Sequence, residues 1–86
     1  MKYNNIDLFI KIESLMDSDL NKIDKVKLLE KIKNDIFKVE VKDNYFHESE
    51  ARMKQIIITD LEAFLKNGNV ELIEKAKTII NEISKH

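Results

Sequence analysis

From Leu72 to Ile83 the apolar positions recur every three or four residues. Leu72, Ile73, Ala76, Ile79, Ile80 and Ile83 fall on one side of a helical wheel, and Glu71, Glu74, Lys75, Thr78, Asn81 and Glu82 on the other. The pattern predicts a final helix that packs through one face. Asn69 is placed to cap its first turn, and Gly68 suits the left-handed residue that ends a preceding helix. Asn67-Gly68-Asn69 is therefore read as a tight helix–helix corner whose two arms run antiparallel.

Before that corner the periodicity predicts a helix from about Glu48 to Asn67, with Met53, Ile57, Leu61, Phe64 and Leu65 on its main face and Ser49 or His47 near its cap. Ile56, Ile57 and Ile58 are consecutive, so this helix must touch neighbours on two sides or leave an apolar patch exposed. Upstream, Leu28, Leu29, Ile32, Ile36 and Val39 form the inner face of another helix. Asp24 is the expected cap, because Ile23 and Leu28 have the spacing of a hydrophobic staple around it. The alternation Val39-Glu40-Val41 leaves two ends open for this helix, one before Val41 with an extended stretch leading to Asp43-Asn44 and one after it. The first helix, from about Asn5 to Met16, is the least polar: Ile6, Leu8, Phe9, Ile10, Ile12, Leu15 and Met16 cover most of its wheel.

These segments predict an all-α chain, a small four-helix bundle over residues 1–86 with mostly antiparallel up-down packing. Composition agrees. Proline is absent and Gly68 is the only glycine, which removes the residues that most often break helices and build hairpins. At 86 residues there is room for one core and not for two. A chain 43% hydrophobic and 36% charged is too apolar for disorder and too charged for a membrane span.

With no cysteine there is no disulfide, thiolate metal site or cysteine nucleophile. The N-terminal segment, broken by Asp7, Lys11 and Glu13, lacks the continuous apolar core of a signal peptide, so a cytoplasmic protein is expected. The bases are fourteen lysines and one arginine beside abundant Ile and Asn, a bias that suggests an AT-rich genome such as that of a low-GC bacterium or its phage.

Candidate chemistry is sparse. Asp17, Asp19 and Asn21 sit at positions one, three and five of a calcium loop, but Lys22 stands where the loop needs glycine and Leu28 where it needs a bidentate glutamate. An acidic turn and cap is the better explanation. His47, Glu48 and Glu50 gather at a helix start, and His86 ends the chain, without the paired spacing of a metal site. Asp60 falls inside the apolar arc between Ile56 and Phe64, where a charge is costly unless a lysine pairs it or the edge of the core exposes it. No companion acid, base or nucleophile supports catalysis, and no cofactor is expected.

The remaining features concern surfaces. Net charge is −1, distributed as −2, +3 and −2 over residues 1–19, 20–42 and 43–86. Lys27, Lys31 and Lys38, extended by Lys42, form a row on the outer face of the second helix that would touch phosphates if the protein bound nucleic acid. Glu30, Asp35 and Glu40 dilute its field, and Arg52 is the only residue suited to reading guanine. The stronger expectation is a non-catalytic protein-binding module: a regulator, inhibitor or immunity-type protein. Helices one and three carry more apolar surface than a lone bundle hides, which marks Phe9, Ile10, Ile12, Ile56 and Ile58, with Asp60, as the residues expected to meet a partner protein or a second copy in a homodimer.

Overall fold

The computed structural model describes residues 5–42 and 47–84. Four helices follow one another: α1 (Asn5–Ser14), α2 (Lys22–Lys38), α3 (His47–Asn67) and α4 (Val70–Ile83). Their contacts close a ring. α1 packs on α2 and α4, and α3 packs on α2 and α4, while neither diagonal pair approaches among the described residues. Around the centre of this ring Leu8, Ile12, Ile32, Ile36, Ile57, Leu61, Ile73, Ile80 and Ile83 are fully enclosed. Each such side chain contributes roughly 1.5–3 kcal/mol by leaving water, so the core is the main source of stability. The result is the small all-α bundle that the periodicity implies.

The local signals act at their expected places around the last corner. Gly68 has φ +70°, and its N–H donates to the Phe64 carbonyl at 2.7 Å. The Asn69 side chain accepts from the Glu71 N–H at 3.0 Å, capping α4. Ile73, Ala76, Ile79, Ile80 and Ile83 are its buried stripe. On α3 the consecutive isoleucines are explained by position in the ring: Ile57 and Ile58 are buried and Ile56 is half-buried, because α3 has one neighbour on each side.

Two boundaries differ from the sequence expectation. α2 starts at Lys22 rather than Asp24, because the Asn21 side chain accepts the Asp24 N–H at 2.8 Å and so occupies the cap. Asn is as good a cap as Asp, and Asp24 then sits in the first turn, where the helix dipole favours it. Ile23 is 67% exposed and staples nothing. α1 stops at Ser14 rather than Met16: Leu15, Met16 and Asp17 donate to carbonyls three residues back, tightening the chain into a turn. Leu15 still reaches the core from that turn.

The exit from α2 is extended, which decides between the two ends the alternation leaves open. Val39 has φ −61° and ψ 128° and its side chain is buried. Val41 then forms an isolated antiparallel bridge with Ser84, and the Lys42 N–H donates to the Ile83 carbonyl at 2.9 Å. The end of α2 is thereby tied to the end of α4.

Candidate interaction surface

The apolar surplus lies on α1, as expected, but its second element is α2 rather than α3. Ile12 is 0% exposed and Ile58 4%, so both belong to the core and neither can meet a partner. Ile12 stands one turn beyond Leu8 and three residues before Leu15, which sets it on the inward arc of α1. Phe9 and Ile56 are half-buried against the same core. Of the aliphatic and aromatic residues expected at an interface, Ile10 alone is exposed, at 58%. The large apolar side chains that do face solvent are Ile6 and Ile10 on α1, and Ile23, Val26 and Phe37 on α2, with Met16 and Val70 near helix ends. None comes from the described part of α3, whose surplus is absorbed between its neighbours. Ile23, Val26 and Phe37 share an arc of α2 flanking the one that carries Leu29, Ile32 and Ile36, a second apolar stripe that a wheel of this segment alone would show.

The lysine row is where the sequence places it. Lys27, Lys31, Lys38 and Lys42 are exposed. Of the acids set against them, Glu30 and Glu40 are exposed as well and Asp35 is not. Asp35 turns inward, 8% exposed, and pairs with Lys11 of α1 at 2.5 Å. Glu30 pairs with Lys33 at 3.4 Å. With Asp35 withdrawn, the outer face of α2 is more basic than its sequence count, and Asp24, Glu30 and Glu40 are the exposed acids of this segment. α1 and its following turn are the reverse: Lys11 is engaged by Asp35, and Asp7, Asp17 and Asp19 stay exposed.

Each packed helix pair is crossed by one lysine–carboxylate bridge: Lys11–Asp35 between α1 and α2, Lys33–Glu62 at 3.4 Å between α2 and α3, Lys75–Asp60 at 3.7 Å between α3 and α4, and Lys77–Glu13 at 2.8 Å between α4 and α1. Burial alone would lower the pKa of the Lys33 ammonium, but its hydrogen bond to Glu30 and the fields of Glu62 and Glu30 outweigh burial and hold it above the ordinary lysine value. The hydrogen bond to Glu13 raises that of Lys77, aided by Glu74 against a smaller burial effect.

Two buried charges stand apart. Asp60 is 8% exposed, and its Oδ2 has no hydrogen-bond partner. Lys54, which the sequence does not single out, is 4% exposed. Its Nζ donates to the carbonyls of Phe37 and Val39 at 3.1 and 3.0 Å and to Glu50 Oε1 at 3.0 Å, closing the open carbonyls at the end of α2. It anchors the backbone beside Phe37.

A groove of about 440 Å³ runs between α2 and α3, floored by Val26, Leu29 and Leu65 and edged by Lys22, Glu62 and Lys66. The residues at calcium-loop spacing form the expected acidic turn and cap: Asp17 Oδ1 accepts the Asp19 N–H at 2.9 Å, and Asn21 is the cap. Among the described residues no three carboxylates or imidazoles converge as a metal site would need. The side chains of His47, Glu48 and Ser49, and His86, lie outside the described residues. No described helix is long and apolar enough to cross a membrane. Comparison with protein-family models, with curated proteins and with solved structures finds no match to this chain.

Proposed function

We propose that this chain is a small non-catalytic protein-binding module of the cytoplasm, a regulator, inhibitor or immunity-type protein that works through the outer faces of α1 and α2. The observation that carries this reading is the exposure of Ile10, Ile23 and Phe37, at 58%, 67% and 60%, outside a core that is already complete. Single exposed apolar residues are ordinary, but two adjacent helices that each present several, beside a third whose described side chains include none, concentrate apolar surface on one side of the ring. Substituting Ile10, Ile23 and Phe37 together by Asp should leave helicity intact and abolish retention of a stoichiometric partner by the immobilised protein. A strictly monomeric protein that retains nothing, or retains the same partner after substitution, overturns the reading.

A second reading is nucleic-acid binding through Lys27, Lys31, Lys38 and Lys42, favoured by the inward turn of Asp35 and the engagement of Glu30. Gel retardation at low salt, where phosphate contacts are strongest, tests it. No retardation of either DNA or RNA there excludes it.

A further inference from the structure

The two outer helices differ in charge while sharing apolar exposure. On α1, Ile10 is exposed beside Asp7, and the turn that follows adds Asp17 and Asp19; the one lysine of this stretch, Lys11, is held by Asp35. On α2, Ile23, Lys27, Lys31 and Lys38 follow one another at helical spacing along the outward side, and those lysines form no ion pair among the described residues. α1 and α2 are neighbours in the ring, so the two strips lie side by side.

We infer that this face is the contact between two copies of the chain, arranged so that α1 of each lies on α2 of the other. The inference rests on the proposed protein-binding role and names the partner as the protein itself. A twofold axis passing between α1 and α2 brings Asp7 and the acidic turn of one copy to the lysine row of its mate, twice over, with Ile10 and Ile23 supplying apolar contact. The alternative twofold, α1 on α1 and α2 on α2, sets lysine row against lysine row, and like charges juxtaposed across an interface are strongly disfavoured. The favoured arrangement is isologous and closed, so it ends at a dimer rather than a fibre. A net charge of −1 leaves little overall repulsion between copies.

Sedimentation equilibrium of the full chain tests this. The wild-type protein should dimerise, with a Kd roughly tenfold weaker in ~0.5 M than in ~0.05 M salt. The variant K27E/K31E/K38E carries acid on both strips and should be monomeric. D7K/D19K, which spares the turn-forming Asp17 carboxylate, carries base on both and should be monomeric as well. Mixed in equal amounts, the two variants should associate, because each strip again meets its opposite. Helical circular dichroism equal to wild type shows that each variant is folded. A wild type that is monomeric at low salt, a charge-reversed variant that still dimerises, or a mixture that stays monomeric each overturns the inference. A monomer that nevertheless loses a stoichiometric host partner on substitution of Ile10, Ile23 and Phe37 leaves the binding-module reading standing without self-association.

Discussion

Lys54 and Asp60 show how differently two buried charges on one helix can be provided for. The Lys54 ammonium has three acceptors, two of them the carbonyls that α2 leaves open where it ends. Removing it strands those carbonyls and a half-buried Glu50, so Lys54→Ala should lower stability by about 2–3 kcal/mol in urea unfolding. Asp60 is the opposite case. One of its oxygens is sealed without a partner, and its lysine stands at 3.7 Å with its own side chain 58% exposed. Asp60→Leu leaves Lys75 free to hydrate and should raise stability by about 1 kcal/mol. A loss of similar size would mean that the carboxylate is better satisfied than its geometry shows. Asp60 was legible in the sequence because its own helix sets it among apolar neighbours. Lys54 was not, because what buries it is the end of α2, and nothing local in a charged stretch of α3 announces that contact.

At the scale of elements, signals contained within a few residues were readable, and choices between two adequate signals were not. Asn67-Gly68-Asn69 has one ready solution: φ +70° at residue 68 favours glycine, and Asn69 follows as a cap. A Cβ at position 68 would meet nothing within 4 Å, so the cost of Gly68→Ala is one of backbone conformation alone. It should lower stability by roughly 1–2 kcal/mol, with Gly68→Asn costing less because asparagine tolerates that region. At the start of α2, by contrast, Asn21 and Asp24 are both competent caps, and the spacing of Ile23 and Leu28 favours the wrong one. Asn21→Ala should cost about 1 kcal/mol and Asp24→Ala less, since Asp24 contributes only through the helix dipole. Equal losses at the two positions would show that the cap is shared.

For the whole molecule, the wheel of each segment revealed how much apolar surface it carried but not which arc a neighbour would cover. Ile12 and Ile58 are therefore core residues rather than partner contacts, and Phe37 and Val26 are exposed without any signal of it in the main periodicity, because the neighbours in the ring decide which arc of each helix is covered. The same ring makes lysine the sole cation in the bridges between packed helices, and this gives the bundle a pH dependence at the alkaline end. The pKa values of Lys33 and Lys77 are raised above 10.5 in the folded state by their carboxylate partners. A raised lysine pKa means that the folded state binds its proton more tightly. The corresponding stability is complete below the unfolded pKa of about 10.4 and is lost as pH rises through the folded value. With side chains 26% and 19% exposed, both lysines are partly screened by solvent, so the effect is modest in size and definite in sign. Urea midpoints should hold steady to about pH 9 and fall between about pH 10 and 12. A comparison with Lys33→Arg/Lys77→Arg isolates the two bridges. Guanidinium groups stay charged throughout, and the double variant should lose less stability over the same interval than the wild type. Parallel curves for the two proteins would show that these bridges contribute nothing to holding the ring closed.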